Sequence, residues 1–221
     1  KPNENYNVGQ FYADAFNLID DIHNRKKIPL FVGGTLMYFN QLYNGLNDLP
    51  ESSKQVRLFI DNLAITYGWE KLHECLKILN KESFNKISKN DKQRIQRQLE
   101  IYILLKNPKN ISNINLNKLE NKFKIYTIKH FPLDRIKLNN KIYKRTKKMF
   151  NDGLIDEVVN LEKKYNLTAN SQSMKSIGYK ETMQYLSGSI LKDELTEKTF
   201  FATRQLAKRQ LTWLKKFTGT T

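Results

Sequence analysis

Cysteine is nearly absent: Cys75 stands alone in 221 residues, so no internal disulfide can form. Histidine is almost as scarce, and His23, His73 and His130 lie too far apart in sequence to make, with Cys75, a recognisable catalytic set or a zinc spacing. No apolar stretch approaches the roughly 18 residues that a membrane helix requires. The first residues, Lys1 to Asn7, are polar and lack the apolar segment ending in small residues of a secretory leader. These absences lead us to expect a soluble, cytoplasmic protein with no membrane partner. A Walker A loop is missing too, since none of the nine glycines is followed by Lys and then Ser or Thr. Internal repeats and low-complexity tracts are also lacking.

What the chain does have is positive charge. Lys and Arg number 38 against 22 Asp and Glu, leaving +16, which a small-molecule enzyme does not need. A polyanion is the natural partner, because such charge governs encounter and salt dependence rather than fold. A coding bias toward Lys and Asn would give a similar surface, so composition alone does not decide. The hydrophobic fraction, 39% with 11% aromatic, is ordinary for a folded chain. At this length roughly 70% of the unfolded surface can be buried.

Helical spacing runs through Val8, Phe11, Tyr12, Ala15, Phe16, Ile19 and Ile22, with Asn7 as N-cap. The apolar run Ile28-Pro29-Leu30-Phe31-Val32 then predicts a buried parallel strand, followed by Gly33-Gly34-Thr35 and a helix through Leu36, Phe39, Leu42 and Tyr43. Helix, strand, turn and helix imply an α/β layer. From Asp48 the pattern turns helical throughout. Ser52 or Ser53 caps a helix carrying Val56, Phe59, Ile60, Leu63 and Tyr67, which Gly68 stops. Trp69 to Leu79 gives another, and Asp91 opens a third with Ile95, Leu99, Tyr102 and Ile103. Asn107 to Asn117 reads as a loop. Phe123, Ile125 and Ile128 alternate as a returning strand, and three helices follow: Asp134 to Asn151, Leu154 to about Lys164, and about Leu191 to Phe217. The resulting division is 1–47 as part of an α/β core, 48–117 as a helical insertion, and 118–221 as the return strand and C-terminal helices.

The bases are not scattered. On the last helix Phe200, Leu206, Ala207, Leu211, Trp213, Leu214 and Phe217 cover one arc, while Arg204, Lys208, Arg209, Lys215 and Lys216 cover the other. Five bases and no acid lie between Phe200 and Phe217, so intrahelical ion pairs cannot account for them. Lys137, Lys141, Lys144 and Lys148 form a second basic row, backed by Leu138, Ile142 and Met149. Arg94 and Arg97, one turn apart, can grip neighbouring phosphates with bidentate geometry. Gly33-Gly34-Thr35, where a strand feeds a helix, can offer free N–H groups and a hydroxyl to an anion. Lys175-Ser176-Ile177-Gly178-Tyr179-Lys180 sets an aromatic between lysines, a surface suited to stacking on a base while holding phosphates. Each feature also has a plain structural reading as a solvated face or an ordinary turn.

Five segments stand in order along nearly the whole chain: Val32-Gly33-Gly34-Thr35-Leu36-Met37-Tyr38, Asn90-Asp91-Lys92-Gln93-Arg94-Ile95, Gly153-Leu154-Ile155-Asp156-Glu157-Val158, Ser176-Ile177-Gly178-Tyr179-Lys180-Glu181, and Thr203-Arg204-Gln205-Leu206-Ala207-Lys208-Arg209-Gln210-Leu211-Thr212-Trp213-Leu214. Together they resemble bacterial tRNA dimethylallyltransferases, also called isopentenyl-diphosphate:tRNA transferases. The resemblance implies a P-loop-type α/β core with a helical insertion. It implies transfer of a dimethylallyl group from its diphosphate to the exocyclic amine of the adenosine 3′ of the anticodon, with magnesium assisting. The partners would be a tRNA anticodon stem-loop and dimethylallyl diphosphate, with the base flipped out of its stack and the protein a monomer.

By position, the resemblance puts Thr35 and Arg57 near the tRNA, with Gln93, Arg94, Ile95, Gln96 and Arg97. Lys175, Ser176, Ile177, Gly178, Tyr179 and Lys180 form a second group. The last helix adds Lys208, Arg209, Gln210, Leu211, Thr212, Trp213, Leu214 and Lys215. Arg145 matches an arginine on the diphosphate side of the channel. Lys141 replaces another arginine there, which weakens bidentate binding. Family members also carry a Gly-rich loop ending Lys-Thr and an aspartate acting as base. Tyr6-Asn7-Val8 normally follows that loop by several tens of residues, so both are expected upstream of Lys1. No catalytic residue or metal ligand is therefore expected in these 221 residues, and the chain by itself is expected to hold tRNA better than it turns over. Two alternatives stay open: a non-catalytic RNA-binding module, and an adenylate prenyltransferase acting on free nucleotide. The tRNA reading expects bases from three helical segments to share one concave track.

Overall fold

The structure is a computed structural model and describes residues 1–46, 49–105, 119, 122–215 and 217. The chain separates into two compact units, one formed by 1–44 with 118–221 and the other by 45–117.

In the first unit, α1 (Val8–Asn24) begins at the expected cap. The Asn7 side chain accepts from the Gln10 backbone N–H while the Gln10 side chain accepts from that of Asn7, a reciprocal capping box. Ala15 and Ile19 on its inner face join Leu42 of α2 (Leu36–Asn44) and Leu119 in one core cluster, flanked by Phe11, Phe16, Phe31, Phe123 and Ile125. Four further helices follow: α7 (Arg135–Asn151), α8 (Leu154–Tyr165), α9 (Tyr179–Leu186) and α10 (Lys192–Leu214). Val158, Leu167 and Met174 form a second cluster beneath α8 and α9. Helix α10 packs on α7 and α9 and touches α2, burying Leu195 and Thr199.

Neither expected strand forms. Among the described residues there is no strand, only single-residue bridges at Leu46 and Ile128. Residues 28–32 and 123–129 nonetheless alternate strictly between half-buried and exposed side chains. Pro29 and Phe31 are half-buried while Ile28, Leu30 and Val32 are more than 80% exposed. Phe123 and Ile125 likewise face inward, and Tyr126 and Ile128 face out. Alternation is what a strand needs on its faces, but a strand exists only when its backbone finds a ladder partner. Such partners are not among the described residues. The expectation of a buried strand over 28–32 is thus corrected to an irregular segment whose alternate side chains are half-buried.

The second unit is helical. Its elements are α3 (Lys54–Tyr67), α4 (Trp69–Leu79), α5 (Lys81–Lys86) and α6 (Lys92–Leu105), with Ser53 as the N-cap of α3. Ile60, Ala64, Leu72, Leu76, Ile95 and Leu99 make its core, and Ile60, Leu76 and Ile95 are wholly excluded from water. Each such side chain stabilises by about 1.5–3 kcal/mol relative to exposure, so these three alone supply several kcal/mol. His73, buried against Phe84, pairs its Nε2 with the Ile87 carbonyl oxygen at 2.8 Å, a structural use of that ring. The expected loop at 107–117 lies outside the described residues. Helices α5 and α9 were not foreseen; both are short, and α9 buries the polar residues Glu181 and Thr182 rather than an apolar stripe. No helix among the described residues is long and apolar enough to cross a membrane.

Candidate nucleic-acid interface

The Gly-Gly-Thr turn leads into α2, with Thr35 exposed and its carbonyl accepting from the Tyr38 N–H at 2.9 Å. Tyr38 stacks on Phe11, ring centroids 4.7 Å apart, beside a cavity of about 160 Å³ lined by Phe11, Phe31, Val32, Gly33, Gly34, Thr35, Tyr38 and Phe39. It is a mostly apolar, aromatic niche whose lining carries the hydroxyls of Thr35 and Tyr38, suited to a small apolar or planar group. Gln210 of α10 donates from Nε2 to the Gly34 carbonyl at 3.0 Å. That contact holds the turn against the helix that carries Lys208 and Arg209.

On that helix Lys208, Arg209, Thr212 and Lys215 are exposed, while Gln210, Leu211, Trp213 and Leu214 are half-buried on the packed side. Leu206, expected to pack, is 37% exposed. Arg204 lies over Phe200 and Phe201 at 5.4 and 5.9 Å from their ring centroids. Lys208, Arg209 and Lys215 have no carboxylate partner among the described residues.

Helix α7 repeats the arrangement, with seven bases and no acid over Arg135–Asn151. Lys137, Lys141, Lys144 and Arg145 are exposed and unpaired among the described residues, Lys148 pairs with Asp152 at 3.2 Å, and Lys147 lies over Tyr143 at 4.7 Å. The three like-charge steps from Lys137 to Lys148 oppose the helix by roughly 0.2–0.5 kcal/mol each. That is small beside the packing of Ile142 and Thr146, so the row does not by itself require an anion. Lys141 and Arg145 are one turn apart, and Arg145 borders the packed side.

The segment Lys175 to Lys180 is a short turn with exposed Lys175, Ser176 and Lys180, half-buried Ile177, and buried Gly178. Gly178 has φ +94°, and a Cβ there would meet Leu154 Cδ2 at 3.3 Å, so backbone and space both select glycine. The Glu181 carboxylate accepts from the Gly178 N–H at 2.7 Å. Tyr179 packs against the Val158 cluster and its hydroxyl donates to Glu157. Burial first, then the Glu157 hydrogen bond and charge, push that phenol up to about 12. Its ring is largely spent on the core rather than offered to a base.

In the second unit the arginines are not free forks. Arg57 places Nε and Nη2 on the two oxygens of Glu100 at 3.0 and 3.1 Å, and Arg97 adds Nη1 at 2.7 Å. The Ser53 N–H donates to the same carboxylate at 2.8 Å. Burial alone would raise the Glu100 carboxyl, but hydrogen bonds from Arg57, Arg97 and Ser53 and the Arg57 charge outweigh it and hold it below the usual range. Among the described residues Arg94 pairs only with Asp91, at 3.3 Å, and Gln93 is exposed. Gln96 donates to Asp61 at 2.6 Å, bracing α6 on α3. Ile95 is fully buried, so its placement at the RNA is corrected: it is core. Sequence reading missed Glu100 altogether. The available signal was an acid following Leu99 in an apolar stripe, three residues after Arg97.

No group of three or more His, Cys, Asp or Glu able to hold a metal occurs among the described residues.

Comparison with known proteins completes the picture. A family model described as IPP transferase matches residues 1–217. The tRNA dimethylallyltransferase of Acinetobacter baumannii strain SDF is 39% identical over 221 residues, covering 97% of this chain and 70% of that protein. That of Nitrosomonas europaea is 37% identical over 218 residues, covering 99% and 69%. Among solved structures, the full-length tRNA isopentenylpyrophosphate transferase of Bacillus halodurans aligns with TM-score 0.64 and 29% identity, over 100% of this chain and 68% of the other. A eukaryotic dimethylallyltransferase acting on tRNA gives TM-score 0.65 at 26% identity, over 96% and 54%.

Proposed function

The chain belongs to the IPP transferase family, and from that membership we propose that it serves tRNA modification as a dimethylallyltransferase. The exocyclic amine of an adenosine 3′ of the anticodon attacks the first carbon of dimethylallyl diphosphate. A C–N bond forms as the C–O bond to diphosphate breaks, and the amine loses a proton to a base. The observation that carries the RNA part of this reading is the basic face of α10, without a carboxylate partner for Lys208, Arg209 or Lys215 among the described residues, running past the Gly-Gly-Thr turn to which Gln210 ties it.

Lys208, Arg209 and Lys215 neutralise backbone phosphates, and Lys175 and Lys180 add charge on the turn before α9. Thr35 meets the adenosine beside the aromatic niche, and Lys141 with Arg145 faces the diphosphate. In the helical unit Arg57, Arg94 and Arg97 offer the RNA a second cationic surface. Magnesium, in this reading, arrives with the diphosphate it neutralises. The 1–44/118–221 unit belongs to the α/β, P-loop-like class. Support comes from its two segments of alternating burial, whose exposed rows Ile28, Leu30, Val32 and Tyr126, Ile128 have the form of a strand's second face. We assign no general base among the described residues and expect the protein to bind tRNA as a cytoplasmic monomer.

The test has two arms. Binding to tRNA should weaken by roughly tenfold to a thousandfold as salt rises fourfold, and a flat response would remove phosphate contact from the account. Competition by AMP as effective as that by tRNA would favour a free-nucleotide substrate instead.

A further inference from the structure

Glu100 is wholly excluded from water, in a unit whose core is otherwise apolar apart from His73. A carboxylate in such a place must be neutralised and hydrogen-bonded. Arg57 alone would neutralise it, since its fork meets both oxygens. Yet Arg97 supplies a second cation and the Ser53 N–H a further donor, leaving the cluster one net positive charge. Neutralisation does not explain the second arginine.

The unspent donors suggest what does. A guanidinium carries five N–H groups. Arg57 commits two to Glu100, and Arg97 commits one to Glu100 and one to the Pro50 carbonyl at 2.8 Å. Three remain on each among the described residues, and the two side chains keep 42% and 32% of their surface exposed. Both forks are therefore fixed on their inner side and open on their outer side. Arg94, held among the described residues only by the partly exposed Asp91, has no such anchor there.

We propose that Glu100 is a positioning residue: it locks Arg57 and Arg97 into one cluster whose outward N–H groups grip a backbone phosphodiester of the RNA. The proposal rests on the RNA-binding reading above. A phosphate offers several acceptors and matches paired guanidinium forks. Arginines already ordered by a buried anchor lose less side-chain freedom on binding than mobile ones.

Glu100→Gln keeps the size of the residue and removes its charge, raising the formal net charge from +16 to +17. Long-range attraction alone would then tighten RNA binding. Positioning requires the reverse: about fivefold to tenfold weaker binding of a synthetic anticodon stem-loop, with a salt slope shallower by about one phosphate. Fluorescence anisotropy across a salt series reads both, and circular dichroism reports folding. Equal or tighter binding by a folded Glu100→Gln protein overturns the proposal. Should that variant fail to fold, Arg57→Lys and Arg97→Lys each keep the charge and leave Glu100 one arginine. Each should bind severalfold more weakly, and unchanged affinity in both overturns it equally. Absence of binding by the unsubstituted protein would instead overturn the RNA reading itself, and this proposal with it.

Discussion

Replacing Gly34 by alanine probes the contact that joins the glycine turn to α10. A Cβ built at Gly34 would lie 2.6 Å from Gln210 Nε2 and 3.5 Å from its Cδ, with nothing else within 4 Å. The obstacle is the far end of a flexible side chain, so the backbone need not deform. Gln210 swings away, and what is lost is its 3.0 Å hydrogen bond to the Gly34 carbonyl, worth about 0.5–1.5 kcal/mol net. Opposing this, alanine narrows the unfolded ensemble by about 0.4–1 kcal/mol where the native φ suits it, and Gly34 is not among the positive-φ glycines. In the unsubstituted background the two effects nearly cancel. In a Gln210→Ala background the bond is already gone, and Gly34→Ala should stabilise outright. The double-mutant cycle should therefore show coupling of about 0.5–1.5 kcal/mol, a difference of roughly 1–6 °C in melting temperature at about 2–4 °C per kcal/mol. Thermal unfolding of the four proteins measures it. An additive cycle, with Gly34→Ala acting identically in both backgrounds, would refute the contact and with it the seating of the turn on α10.

Lys208→Ala and Arg209→Ala should each weaken tRNA binding and reduce the salt slope by about one, with thermal unfolding nearly unchanged because both side chains are exposed; a large fall in melting temperature would show the helix face misassigned. Glu100 should make the helical unit acid-sensitive. Its folded pKa lies below the ordinary 4.5, so its contribution is present above that value and is lost as pH falls through the depressed one. Glu100→Gln should flatten that part of the stability curve, and an unchanged acid limb would count against the buried pairing.

Much of the helical architecture was legible because its signals are local. Asn7, Ser53 and Asp134 cap helices through their own side chains, and the apolar spacing of Ile60, Ala64, Leu72 and Leu76 marks inward faces. The strands were not, because the sequence of 28–32 specifies only an alternation of inward and outward side chains, while a strand depends on a partner backbone far away in sequence. The basic faces of α7 and α10 were readable from the wheel alone. What could not be read was how many arginines had inward obligations. Arg57, Arg94 and Arg97 look alike in sequence, and only packing shows that a buried carboxylate claims two of them. Tyr179 taught the same lesson, because its ring and hydroxyl are both occupied by neighbours from α8 and the turn before α9.

Helix α10 is fastened unevenly. Its fully buried residues, Leu195 and Thr199, fall in the first two turns of a rod roughly 35 Å long, and beyond them no described side chain through Leu214 is wholly enclosed. The amides of its later turns should thus open at lower free energy than those near Thr199. A nucleic-acid ligand on Lys208 and Arg209 would bind where the helix is most prone to fray, and part of its binding energy would go into keeping those turns wound.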